Sequence, residues 1–269
     1  MKKKNTSSAA VMLLVMIYLL IPLAVSVIYS MYQKWTGVLP EGFSLENYVS
    51  LFTDRNFLSA VGRSVAMCIV PILLTIVIVL LALFATTLYF PRLEKYVQII
   101  CMIPYTIQGV ILSVSILSLY VGKGSVLSNR LVMLMGAYCI VILPYIYQGI
   151  RNGMRAVNMQ TLIEAAEMLG ASKLEAFFRV VVPNILSAII VSSLLAVGII
   201  FGDYVLIRNL AGTSAPNMQI FLYQTMKSDS TKASAVFVII MLVTFVISAV
   251  VLYMRSREGQ AAAKANVKE

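Results

Sequence analysis

Few residues in this chain have the types and spacing that chemistry requires. Cys68, Cys101 and Cys139 each fall inside an apolar run and show no metal or redox spacing, so packing of a small soft side chain accounts for them. Gly122-Lys123-Gly124-Ser125 lacks the upstream glycine spacing of a phosphate-binding loop. The sequence contains no histidine, which removes the usual general base, the commonest metal ligand and every Ser-His arrangement together. Asp203 stands at the outer end of an apolar run with no second carboxylate beside it, so neither paired acid–base catalysis nor a proton relay is built. The expectation is a protein that is not an enzyme, binds no cofactor or metal itself, and draws any energy for uphill movement from a partner.

The elements around these residues are set by the solvent. Of 269 residues, 60% are hydrophobic and 12% charged, with mean hydropathy +0.91. Soluble domains are far more charged, and disordered chains more polar still. Six charge-free stretches, 5–33, 64–91, 96–122, 131–150, 180–202 and 233–254, hold 29, 28, 27, 20, 23 and 22 residues. Each is long enough to cross a bilayer, which takes about 20 apolar residues per helix. A seventh, 209–226, is interrupted by Asn, Gly, Thr, Ser, Pro and Gln and reads as an extracytoplasmic loop, partly re-entrant. The fold class expected is an all-α, polytopic bundle of six transmembrane helices, with tails at 1–8 and 255–269 flanking a membrane domain over 9–254.

Orientation follows from lysine and arginine. With the N-terminus inside, 13 of the 21 basic residues are cytoplasmic, and the Lys2–Lys4 run adjoins the first span. Both termini are then expected in the cytoplasm. The net charge of +10 is scattered at membrane edges, which suits anionic lipid headgroups rather than nucleic acid. The basic start resembles a signal peptide, but its apolar region is too long for one.

The loop between the fourth and fifth stretches, 151–183, is too long for a turn and too apolar for a solvated linker. Met159, Leu162, Ile163, Ala166 and Leu169 recur at helical spacing, and Thr161 with Glu164 matches a capping box. Gly170 suits the left-handed position that ends a helix. Ser172-Lys173-Leu174-Glu175 is a second capping box, opening a helix with Leu174, Phe177, Phe178 and Val181. Two short helices joined at glycine are expected on the cytoplasmic face. They would either lie on lipid or dock their apolar residues in a groove on a soluble partner.

Glu164-Ala165-Ala166, then Gly170, then Val180-x-Val182-Pro183, resembles the EAA loop of binding-protein-dependent ABC permeases at every step of its spacing, with Val180 and Val182 replacing Ile and Leu. The resemblance implies a type I importer permease. Its loop helices would couple to an ABC ATPase dimer, which binds the ATP and magnesium. Glu164 would pair with a basic group there, Ala165 and Ala166 would allow close approach, and Gly170 would make the turn. Leu169, Ala171, Phe177 and Pro183 complete the docking set. It also implies a second permease subunit, identical or different, an extracytoplasmic solute-binding protein, and the prokaryotic cytoplasmic membrane.

Phe43-Ser44-Leu45-Glu46-Asn47-Tyr48, Pro104-Tyr105, Gly109-Val110, Pro144-Tyr145 and Gly202-Asp203-Tyr204-Val205 resemble one branch of that family. The branch comprises permeases for spermidine or putrescine, 2-aminoethylphosphonate, ferric iron and thiamine; polyamine ranks first. Inside the spans, Gln108 and Ser115 share a face by spacing, as do Tyr138 and Tyr145, with Gln148 and Ser192 nearby. With Asp203 these are the candidate path residues, against packing and interhelical hydrogen bonds as the alternative. Gly198-x-x-x-Gly202 is expected to permit close helix contact. Pro22, Pro71, Pro104 and Pro144 fall within spans, as static kinks or, for the last two, hinges. A self-sufficient channel or secondary transporter is the competing function, though it would need a charged or carbonyl-lined pathway.

Overall fold

The computed structural model describes residues 6–34, 41–107, 109–124, 126–212 and 215–266. The first helix, α1 (Thr6–Ser30), leads into a short antiparallel ribbon of β1 (Tyr32–Lys34) and β2 (Glu41–Phe43), paired Tyr32 to Phe43 and Lys34 to Glu41. Next come α2 (Glu46–Thr53), α3 (Arg55–Leu88), α4 (Glu94–Met102), α5 (Gly109–Tyr120) and α6 (Arg130–Ala156). The chain then runs through α7 (Met159–Met168), α8 (Lys173–Ala176), α9 (Val182–Asn184) and α10 (Leu186–Gly202). It closes with α11 (Val205–Leu210), α12 (Met218–Ser228) and α13 (Ser230–Asn266).

Four of these helices are long and apolar enough to cross a membrane, over Val11–Ser30, Arg55–Leu88, Arg130–Ala156 and Ser230–Met254. Two bent pairs bring the count to the six that the charge gaps predict if each pair is one span. Residues 91–106 with α5 form one pair, and Lys173–Asn184 with α10 the other. The first bent pair breaks the third span beside Pro104, one of the prolines expected to kink or hinge a span. Pro104 has no N–H to give, and Ile103–Thr106 tightens into a 3-10 turn closed by the Ile107 N–H on the Pro104 carbonyl at 3.2 Å. Pro22, Pro71 and Pro144 interrupt nothing: α1, α3 and α6 run through them.

The core is the packing of α6 against α3 and α10, joined by α13 and α12. Gly149 and Gly153 on α6 make the α6–α10 approach possible. A Cβ on Gly149 would lie 2.4 Å from the Ser192 Cβ, and one on Gly153 would lie 2.6 Å from the Ala188 Cβ. Small residues four apart on both helices thus let the backbones meet. The expected Gly198/Gly202 contact is not made among the described residues, where a Cβ on either would meet nothing within 4 Å. The helix α1 is different in kind: within Val11–Ser30 none of the most apolar window is buried, and its main neighbour is α13.

The stretch 209–226 is corrected from loop to helix. It contains the end of α11 and most of α12, which packs on α13 and α3, and Asn217 caps α12 by accepting from the Ile220 N–H at 2.9 Å. Its Met218 N–H donates to Ser64 on α3 at 2.9 Å, and Arg63 Nε donates to the Pro216 carbonyl at 2.7 Å. Eleven residues of α12 rise only about 16 Å, so it covers the bundle end without crossing.

Candidate functional site

The loop between the fourth and fifth spans folds as a helical hairpin. Its first helix, α7, ends in a paired terminal motif: the Gly170 N–H donates to Glu167 O at 2.9 Å and the Ala171 N–H to Ala166 O at 3.1 Å. Gly170 sits at φ +88°, the left-handed region where a side chain is strained. Two residues on, Ser172 Oγ accepts from the Glu175 N–H at 3.3 Å and starts α8, as the second capping box predicts. The first capping box is not formed. The helix begins at Met159 with left-handed Asn158 at its cap, which places Thr161 inside the helix.

The hairpin has an inner and an outer side. Met159, Ile163 and Ala166 are buried, a spacing of four and three that fits one helical face. Phe177 and Val181 are buried from the second arm, and the Phe177 ring lies 5.0 Å from Phe84 of α3. Leu169 leaves the inner face that periodicity gave it. It stands at the tip with Met168, each 90% exposed, because α7 ends at Met168 and the turn at Gly170 takes Leu169 off the helical face. Glu164, Ala165, Gly170 and Pro183 are also exposed, while Ala171 is half-buried. The Glu164 side chain has no hydrogen-bond or ion-pair partner among the described residues.

The second arm does not run straight into the fifth span. Pro183 cannot donate to the Arg179 carbonyl, and Phe177–Val181 widens into a π turn whose Val182 N–H reaches back to Phe177 O. The chain then bends by 65° between Asn184 and Leu186. Residues 180–184, counted with the fifth span by charge, therefore belong to the hairpin arm.

The candidate path residues separate into groups. Gln108 lies outside the described residues. Ser115 is exposed on α5, whereas its neighbour Ser113 is buried and accepts from Asn209 Nδ2 at 2.8 Å. Tyr138 is buried on α6, and its hydroxyl donates to Asp203 Oδ2 at 3.3 Å. Asp203 also accepts from the N–H groups of Leu206, at 3.1 Å, and Ile207, at 3.3 Å, so it caps α11. A cavity of about 250 Å³ opens beside this pair, lined also by Val141, Ile199, Gly202 and Leu206. Tyr145 and Gln148 turn instead to the broken third span. The Tyr145 ring lies 4.9 Å from Tyr105, and Gln148 Nε2 donates to Met102 Sδ at 3.1 Å. Tyr138 and Tyr145 thus share a helix but not a surroundings. Ser192 is buried against Gly149 and spends its hydroxyl on Ala188 O and Ile189 O.

Sequence reasoning missed Gly149 and Gly153, although their four-residue spacing was visible. It also missed Phe84, the aromatic anchor beneath the hairpin, and Glu94, which accepts from Arg151 Nε at 3.1 Å and ties the start of α4 to the end of α6.

The chain is 26% identical to the spermidine/putrescine transport system permease protein PotC of Haemophilus influenzae over 222 residues, 82% of this chain and 85% of that one. It is 26% identical to the putrescine transport system permease protein PotI of Escherichia coli K12, over 81% of this chain and 79% of the other. A Salmonella typhi protein provisionally named a 2-aminoethylphosphonate transport system permease, PhnV, is 20% identical over 75% and 76%. Among solved structures, a bacterial ABC transporter that imports the acidic polysaccharide alginate has a chain matching with TM-score 0.63 and 20% identity, over 95% of this chain and 96% of that one. That likeness is one of fold. The profile of binding-protein-dependent transport system inner membrane components matches residues 78–257, which run from the end of α3 through the hairpin and the bent fifth span into α13, and the chain belongs to that family as a membrane-spanning permease subunit of an ABC importer.

Proposed function

We propose that the hairpin at 151–183 docks on a separate ABC ATPase dimer and passes its movement to the spans, which form a path for a small polar solute. The observation that carries this reading is the hairpin's outer side: Met168 and Leu169 are bare at the tip, and Glu164 has no partner among the described residues. Apolar groups with one charge among small residues give close packing and register on a partner. Phe177 against Phe84 and the 65° bend connect that surface to α3 and α10. The hairpin end, both termini included, faces the cytoplasm of a prokaryotic cell. ATP and magnesium reside on the ATPase, a second permease covers the apolar surface that this chain leaves open, and an extracytoplasmic solute-binding protein delivers the solute.

A polyamine ranks first as solute. Two of the relatives are named for polyamines, and Asp203 presents a carboxylate to the cavity beside Tyr138, which suits an ammonium group. 2-Aminoethylphosphonate follows, then ferric iron and thiamine. Tyr138 and Asp203 are assigned to the path, while Ser192 is assigned to packing.

The test is a gentle-detergent pull-down of the chain from native membranes, with mass spectrometry of what is retained, for the native sequence and Glu164→Lys. An ATPase and a second permease, the ATPase being lost with Glu164→Lys, support the docking assignment. A chain that comes down alone and still moves solute after reconstitution makes it a self-sufficient transporter instead.

A further inference from the structure

Behind the hairpin, at the end of the bundle that carries it, the ends of four helices surround a cavity of about 280 Å³. Thr87 of α3, Glu94 of α4, Arg151 and Arg155 of α6, and Asn158 and Gln160 at the start of α7 line it. Nothing in the docking or path assignment uses this space.

Its charges do not balance. Glu94 is engaged by Arg151 through both Nε, at 3.1 Å, and Nη2. Arg155 reaches the same Glu94 oxygen only at 3.8 Å, and its side chain is 64% exposed. Two guanidinium groups thus share one carboxylate, and most of the donors on Arg155 are unspent. The side chains of Thr87, Asn158 and Gln160 make no hydrogen bond among the described residues. Beneath them the Tyr147 ring carries the Arg151 guanidinium 5.9 Å from its centroid. The hydroxyl of this tyrosine, which is 1% exposed, has no hydrogen-bond partner among the described residues. Because Asn158 does not cap α7 with its side chain, the first N–H groups of that helix also lack an acceptor there.

We infer that this cavity binds a phosphate group, held by the free edge of Arg155, by Arg151, and by the amide donors of Asn158 and Gln160. A phosphate offers several charged oxygens at once. It matches a planar guanidinium fork with converging neutral donors better than a single carboxylate does. The group comes either from the headgroup of an anionic phospholipid or from soluble phosphate and its small esters. Once bound, it ties the root of α7 to α4 and α6 and stiffens the base of the hairpin.

Hydrogen exchange at amides 159–162 reads this directly. The full chain, purified with the subunits it retains, is placed in phosphatidylcholine nanodiscs and measured with inorganic phosphate or with chloride at equal ionic strength. A second set of nanodiscs contains phosphatidylglycerol and no added phosphate. With phosphate at about ten times its Kd, exchange at these amides slows about tenfold. The slowing disappears in Arg155→Gln. It persists in Arg179→Gln, which alters an exposed arginine of the same hairpin, paired with Glu175 outside the cavity. Slowing in phosphatidylglycerol without phosphate assigns the site to a lipid headgroup; slowing only with added phosphate assigns it to the soluble anion. Equal exchange under all conditions overturns the inference, and so does protection that survives Arg155→Gln. The readout needs no transport, so a failed solute assay leaves it intact.

Discussion

Gly149 of α6 and Ser192 of α10 are in such close register that a methyl group on the glycine would overlap the Ser192 Cβ, at 2.4 Å. Four residues on, Gly153 stands in the same relation to Ala188, at 2.6 Å. This seam joins the span before the hairpin to the span after it, so both arms of the loop leave from helices already locked together.

Gly149→Val should therefore destabilise the bundle by about 1–3 kcal/mol, the usual cost of overpacking a tight contact. Gly149→Ala should do less, and Ser192→Gly should recover much of the loss in the double variant. Thermal unfolding in nanodiscs gives the coupling as a double-mutant cycle. Gly198→Ala, where a Cβ meets nothing, should stay within about 0.5 kcal/mol of the native chain.

Phe177→Ala removes the ring packed on Phe84 and should cost about 3–5 kcal/mol locally, as large-to-small changes in cores do. Exchange of hairpin amides over 159–181 should quicken while the amides of α3 stay slow. Equal quickening in both would place the ring in the global core rather than at the hairpin root.

At Gly170 the penalty is conformational. Open space surrounds a Cβ there, but φ is +88°. Gly170→Val should cost about 1–2 kcal/mol of hairpin stability and reduce ATPase co-purification. Gly170→Asn should retain more of both, since asparagine tolerates the left-handed region better. Matching losses for the two variants would make the turn's sign of φ irrelevant.

A pH effect is expected at the other end of the bundle. Asp229 caps α13, and burial opposes its ionisation. The N–H groups of Lys232 and Thr231 and the Thr231 hydroxyl outweigh that, so the carboxyl is held below its ordinary range. A lowered carboxyl contributes stability that is present in full above the ordinary range and is lost as pH falls through the lowered value. Asp229→Ala should cost about 1 kcal/mol near neutrality and flatten the acid side of a stability–pH curve. Thermal shifts collected from neutral to acid pH check both the sign and the window.

What the sequence made legible was local. Gly170 and Ser172 could be placed because a left-handed turn and a helix cap are properties of three or four neighbouring residues. The number of spans was legible because charge is excluded from lipid over a fixed length. Leu169 could not be placed, since its spacing continues the inner face and only the turn after it lifts the side chain away. The two glycine pairs make the same point. Gly149/Gly153 and Gly198/Gly202 have identical spacing, and which pair meets another helix depends on rotation about the axis, a tertiary property. Likewise, of Pro22, Pro71, Pro104 and Pro144 only Pro104 is found in a broken helix, while Pro183 stands beside the other bend. The path residues divided for the same reason: Tyr138 and Tyr145 are two turns apart but meet different partners.

The first helix carries a consequence for how the protein is made. Because α1 leans chiefly on α13, where the Tyr29 hydroxyl comes within 3.3 Å of Ser230 Oγ, its main partner among the described helices is made about two hundred residues after it. Throughout translation of the intervening two hundred residues, α1 has lipid or insertion machinery for company. A chain cut short before α13 would leave α1 without its main neighbour among the described helices.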